Sequence, residues 1–152
     1  MAKVLILLGS KSDIPVMEDS VKYLNWFGIE NEMIVASAHR DPEKVVDLTT
    51  NAKSSGYQCI IAAAGMAAAL PGVVSAHTSL PVLGVPLEGG LQGGIDALYS
   101  IVQMPPGLPV GTLAVGKPGA RNAAILAARI LALQDADLQA KLEEFKGMGY
   151  KL

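Results

Sequence analysis

Hydrophobic positions in this chain fall into short unbroken runs that alternate with stretches of helical spacing. Val4–Leu8 is a run without a polar residue, the mark of a strand buried on both faces. In Pro15–Phe27, Val16, Val21, Leu24 and Phe27 form one apolar side, and Gly28 stands just past the end of this first helix. Asn31–Ala36 predicts a second strand. Asp41-Pro42-Glu43 opens the next helix with an N-cap acid, a proline at the first position and an acid in the first turn, and Gly56 closes it. Gln58–Ala63 predicts the third strand and Met66 to Ala76 an alanine-rich helix. Pro81–Val85 and Val110–Val115 predict the fourth and fifth strands, with a helix over Gly93–Gln103 between them. Asn122–Leu133 and Asp137–Lys146 are the closing helices, and the pattern leaves open whether the last packs on its own chain or on a neighbour.

Five strand–helix units in succession predict an α/β fold with parallel strands, right-handed crossovers and helices on both faces of the sheet. No repeat, linker or low-complexity tract interrupts them, and 152 residues suit a single domain spanning 1–152.

Charge narrows the function. Lys plus Arg is 12 and Asp plus Glu is 14, a net of −2, which argues against a nucleic-acid binder that relies on bulk positive charge. A mean hydropathy of +0.37 excludes disorder as the main state. The single cysteine, Cys59, excludes an internal disulfide and a thiolate-cluster metal site, and its place inside a strand predicts a buried small hydrophobe. Between Lys53 and Lys117 the only acidic or basic residues are Glu88 and Asp96. A membrane span there is broken by Pro71, Pro105, Pro106 and Pro109, so the expectation is surface hidden against other copies of the chain. The first apolar run stops at Gly9, too short for a secretory signal, and the expected location is cytoplasmic.

In an open parallel sheet, ligands bind beyond the carboxyl ends of the strands, so the chemistry belongs in the loops that follow them. The first, Gly9-Ser10-Lys11-Ser12-Asp13, offers amides and hydroxyls to a phosphate, or Asp13 to ribose hydroxyls; capping of the first helix explains the same residues. It lacks the glycines and lysine of a P-loop and the glycines of a dinucleotide fingerprint. The second, Ser37-Ala38-His39-Arg40, pairs a guanidinium able to fork onto a phosphate with an imidazole able to move a proton near neutral pH. The third, from Ala64 to Gly72, has only small residues and backbone amides, which admit a flat ligand closely or simply pack tightly. His77 lies at the far end of the following helix, where a structural role is expected. No His/Asp/Glu cluster has metal spacing and no Gly-x-Ser-x-Gly elbow occurs, so no metal is expected.

Gly9–Asp13, Ser37–Arg40, Ala67–Gly72 and Leu98-Tyr99-Ser100-Ile101-Val102-Gln103-Met104-Pro105, in this order, resemble the N5-carboxyaminoimidazole ribonucleotide mutases. These belong to the class I type of the phosphoribosylaminoimidazole carboxylase catalytic subunit family. The resemblance runs from Val4 to about Leu133. It implies a three-layer α/β/α sandwich of flavodoxin-like topology with added C-terminal helices. It also implies a homo-octamer, and conversion of N5-carboxyaminoimidazole ribonucleotide to 4-carboxyaminoimidazole ribonucleotide in purine biosynthesis without metal or organic cofactor. The implied functional partner is an ATP-dependent synthetase that forms the carbamate. Carried over by motif, Ser10, Ser12, Asp13, Ser37, Ala38 and Arg40 would bind the ribonucleotide, together with Ala64, Gly65, Met66 and Leu70 of the third loop. His39 would carry the proton.

One position departs from the family pattern. The third loop usually ends in a histidine before Leu-Pro-Gly, and here that position is Ala69. The branch that carboxylates aminoimidazole ribonucleotide directly with carbon dioxide also lacks this histidine, but it usually has a lysine in place of Arg40 and a different third loop. Direct carboxylation and a non-catalytic nucleotide-binding module therefore stay open beside the mutase, as does a purely structural oligomer. Retention of His39 favours an enzyme, and Ser10, Asp13 and Arg40 on one edge speak against a structural role alone.

Overall fold

The computed structural model describes residues 1–152. Five parallel strands form one sheet: β1 (Lys3–Leu8), β2 (Glu30–Val35), β3 (Cys59–Ala64), β4 (Val82–Pro86) and β5 (Gly111–Thr112), in the order β2-β1-β3-β4-β5. Six helices cover it: α1 (Ile14–Trp26), α2 (Pro42–Asn51), α3 (Leu70–Ala76), α4 (Ile95–Val102), α5 (Lys117–Leu131) and α6 (Ala136–Gly147). Parallel strands with helices on both faces are what the alternation predicts, and the strand order is the flavodoxin-like one that the family resemblance implies.

The central strands are buried on both faces, so successive side chains feed two different cores. Val4, Ile6 and Leu8 of β1 and Cys59, Ile61 and Ala63 of β3 pack against α1, α5 and α6. Leu5 and Leu7 of β1, with Ile60 and Ala62 of β3, share the opposite core with Val45, Leu70, Val74, Ala97 and Ile101 from α2, α3 and α4. On the first face α5 presents a stripe of buried alanines, Ala120, Ala123, Ala124, Ala127 and Ala128, against α1. The small side chains let the two helices approach, and the Ser20 hydroxyl donates across the seam to the Ala120 carbonyl at 2.6 Å. Helix α6 closes its own chain: Phe145, 1% exposed, meets Tyr23, Trp26, Phe27 and Tyr150 in aromatic contacts. Cys59 is buried in β3 as expected, and burial pushes its thiol pKa up to about 12. No helix is long and apolar enough to cross a membrane.

Three boundaries differ from the sequence reading. The helix expected from Met66 starts only at Leu70, because Met66 takes a left-handed φ of 55° and Pro71 fits only in a first turn. Helix α4 starts at Ile95, since Gly93 and Gly94 have φ values of 72° and 103° that end a short 3-10 turn over Leu91–Gly93. The fifth strand, expected over Val110–Val115, is two residues long. Leu113 N–H still donates to the Gly84 carbonyl at 2.9 Å, but the next rung would require an amide N–H from Pro86, which has none. The chain instead reconnects at Gly116, whose N–H reaches the Pro86 carbonyl at 2.8 Å, and turns directly into α5.

That turn is tight. A Cβ placed on Gly119 would stand 1.6 Å from the Ala114 carbonyl oxygen, a backbone atom that cannot move alone. Gly119→Ala is expected to lower stability by about 3 kcal/mol or more, the upper end of the overpacking range. Urea denaturation checks this, and an unchanged midpoint would mean that α5 and the β5 loop can separate freely.

Candidate active site

The loops after β1, β2, β3 and β4 enclose one cleft of about 460 Å³ at the carboxyl edge of the sheet. The first loop contributes Gly9, Ser10, Ser12 and Asp13, and the second Ser37, Ala38, His39 and Arg40. The third contributes Ala64 through Leu70, and the fourth Glu88 and Gly89. Every residue that the sequence nominated for ligand contact or proton transfer lines this one cleft.

The first loop is built by a capping box. Ser10 N–H donates to the Asp13 carboxylate at 3.0 Å, and the Ser10 hydroxyl oxygen accepts from Ser12 N–H at 3.3 Å. The hydroxyls of Ser10 and Ser12 are also paired at 3.0 Å. The same bonds that cap the short 3-10 turn over Lys11–Asp13, which leads into α1, hold Ser10, Ser12 and Asp13 at the cleft wall, so capping leaves them available to a ligand. Asp13 is the strained partner electrostatically. Burial pushes its carboxyl above the ordinary aspartate range, and the Ser10 N–H bond only partly offsets this.

The second loop is a turn set by Ser37. Its hydroxyl accepts from Arg40 N–H at 3.2 Å and its carbonyl from Asp41 N–H at 2.9 Å. His39 and Arg40 thus project from a fixed backbone at the start of α2, with both side chains exposed to the cleft and solvent. The third loop gives the floor. Gly65 lies so close to the fourth loop that a Cβ on it would meet the Glu88 carbonyl oxygen at 3.4 Å. Met66, 65% exposed with a left-handed backbone, stands at the rim. A non-glycine residue in that conformation marks local backbone strain at the rim of the cleft. Ala69 lines the cleft at the N-cap of α3 and brings no titratable group to it.

The sequence reading assigned no role to Glu88 or Gly89. The signal was available, since Glu88 is one of two acids in a long uncharged stretch and follows a strand. His77 is far from the cleft: it caps α3, where its Nδ1 lies 2.9 Å from the Val73 carbonyl.

Loop-borne ionisable groups at the carboxyl edge of a doubly wound sheet, with a cation, hydroxyls and a floor of small residues, are the makings of a small-molecule cleft in an α/β protein. Comparison with known proteins gives the family. The family model for AIR carboxylase matches residues 3–150. The N5-carboxyaminoimidazole ribonucleotide mutase of Vibrio vulnificus (strain CMCP6) is 52% identical over 144 residues, covering 95% of this chain and 89% of that protein. The mutase of Escherichia coli (strain K12) is 49% identical over 145 residues, covering 95% and 86%. Among solved structures, Treponema denticola PurE superposes with a TM-score of 0.89 at 29% identity, covering 99% of this chain and 92% of that one. The chain belongs to the AIR carboxylase family.

The Asp13 environment has a pH signature. Its raised pKa means that the folded state takes up this proton before the unfolded chain does as pH falls. Folding is therefore favoured by that proton in the acid window and loses the advantage as pH rises through the raised pKa. Asp13→Asn keeps an oxygen to accept from Ser10 N–H and removes the buried charge. It is expected to be at least as stable as the parent at neutral pH, with the gap shrinking toward the ordinary aspartate range. Urea midpoints at about pH 7 and about pH 4 test the sign, and a variant clearly weaker at the higher pH would refute it.

Proposed function

We propose that this chain is an enzyme of purine biosynthesis that converts N5-carboxyaminoimidazole ribonucleotide to 4-carboxyaminoimidazole ribonucleotide, as a single domain over 1–152. One observation carries the reading: a chain about half identical to proteins of that name over nearly its whole length has His39, Arg40, Ser10 and Asp13 on one cleft. Arg40 takes the phosphate, Asp13 the ribose hydroxyls, Ser10, Ser12, Ser37 and Ala38 the polar remainder, and Ala64, Gly65, Met66 and Leu70 the ring.

The reaction balances without a redox partner. The carbamate N–C bond breaks, its electron pair stays on nitrogen, and carbon dioxide is released. The ring carbon C4 then attacks the carbon dioxide, forming a C–C bond, and its proton leaves. One proton is gained by the exocyclic nitrogen as the carbamate breaks and one is then taken from C4, so a single imidazolium that delivers the first and, as imidazole, receives the second suffices and ends as it began. His39 is that group. The cleft's task is to hold carbon dioxide beside C4 and keep water from diluting the encounter, which demands proximity more than strong acids. No metal or organic cofactor enters this scheme.

Ala69 favours one second reading, direct carboxylation of aminoimidazole ribonucleotide by carbon dioxide. A paired assay separates the two. The carbamate substrate is given without bicarbonate, then aminoimidazole ribonucleotide with bicarbonate, and the carboxylated product is followed in each. Product from the first alone supports the mutase; product from the second alone overturns it.

His39→Asn keeps the size and some hydrogen bonding but cannot titrate. It is expected to bind nucleotide nearly as the parent does and to lose at least about 10²-fold in turnover, the low end for general acid–base catalysis. Parent-like turnover would move the proton transfer to another group.

The assembly belongs to the same proposal. Leu91, Tyr99, Val102 and Leu108 lie exposed in the nearly uncharged stretch, at 71%, 61%, 47% and 37%. An apolar surface of this kind suits burial between copies, and a homo-octamer in the cytoplasm, supplied with carbamate by an ATP-dependent synthetase, fits it. Analytical ultracentrifugation is expected to show an oligomer; a stable monomer at micromolar concentration would refute this.

A further inference from the structure

Glu88 is the ionisable side chain of the cleft that the proposed chemistry leaves without a task. The others are Asp13, His39 and Arg40. Asp13 is already engaged by Ser10 N–H. None of the ion pairs in the chain involves Glu88, whose carboxylate is exposed. The backbone that carries it is fixed. Leu87, 3% exposed, anchors the loop in the core and donates its N–H to the Ala64 carbonyl at 3.0 Å. Gly65 packs against the backbone of this loop, where an added Cβ would stand 3.4 Å from the Glu88 carbonyl oxygen, while the exposed carboxylate leans toward Gly116, with Oε1 3.6 Å from where a Cβ there would stand.

The sheet order gives the cleft a polarity. Loops after β2, β1, β3 and β4 lie side by side, so Arg40 and Glu88 hang from opposite ends of the row. Three strand spacings separate those loops by about 14 Å, comparable to a phosphate, a ribose and a five-membered ring laid end to end. A cation stands at one end, a free carboxylate at the other, and small residues fill the interval. A matching ligand carries an anion at its first end and N–H donors at its last.

We propose that Glu88 accepts a hydrogen bond from the exocyclic amino group of an aminoimidazole ring held over Gly65–Ala69, and so selects the amino-substituted ring. This rests on the ribonucleotide reading above. The contact also assists the chemistry. An N–H bonded to a carboxylate pushes electron density into the ring and strengthens C4 as the carbon that attacks carbon dioxide. A carbamate carboxylate near Glu88 is repelled by it, which favours release of carbon dioxide.

The test uses two probes, aminoimidazole ribonucleotide and the imidazole ribonucleotide that lacks the amino group. Calorimetry measures both on the parent, Glu88→Ala and Glu88→Gln. The parent is expected to prefer the amino compound by at least about tenfold, the low end for a hydrogen bond to a charged group. Glu88→Ala abolishes the preference and leaves affinity for the desamino compound unchanged. Glu88→Gln, which keeps an accepting oxygen on a side chain of the same size, retains part of it. A parent without the preference, or an alanine variant that keeps it, overturns the role of Glu88 while the ribonucleotide reading stands. A parent that binds neither probe overturns both.

Discussion

The constraint on which everything else rests is the burial of the central strands on both faces. A parallel strand under two helical layers can carry almost nothing but apolar side chains, because an unpaired polar group there costs several times what it returns. In β1 and β3 every residue from Val4 to Leu8 and from Cys59 to Ala64 is buried. Chemistry is thereby excluded from the sheet itself and confined to where the strands end. Four adjacent strands end together, so four loops far apart in sequence become neighbours without any long-range design beyond the register of the sheet.

The same loops carry two duties at once. Ser10 and Asp13 satisfy the first turn before α1, and Ser37 holds the turn that presents His39 and Arg40. Using one set of polar groups for capping and for the cleft wall fixes the wall at no extra entropic cost, since those residues must be ordered for the helices to begin. Ala69 is the exception. At the N-cap of α3 it neither caps through a side chain nor offers a proton, so the cleft has a single imidazole and its carboxylates gain importance.

Most of this was legible in the sequence. Strands with unbroken apolar runs and helices opened by Asp-Pro-Glu announce themselves locally, and all the nominated residues met in one cleft because strand-end loops must. What escaped detection depended on partners far along the chain. The late start of α3 turns on the left-handed backbone of Met66, and the short β5 turns on a proline in a different strand. Glu88 escaped although it is one of two acids in a long uncharged stretch, because only the packing of the fourth loop beside the third brings it to the cleft.

Pro86 has one more effect, on the perimeter of the sheet. By silencing a rung of the ladder it leaves β5 with two paired residues, too little backbone for another strand to zip onto. At the opposite border, β2 bears Glu30, paired with Lys3, and Glu32, which accepts from the Tyr57 hydroxyl, and an incoming strand would have to bury both carboxylates. The sheet is thus guarded on one side by brevity and on the other by the cost of burying charge. Uncontrolled growth into fibrils has no template, and contact between copies of this chain is left to side-chain surfaces, which can close on themselves into a finite particle.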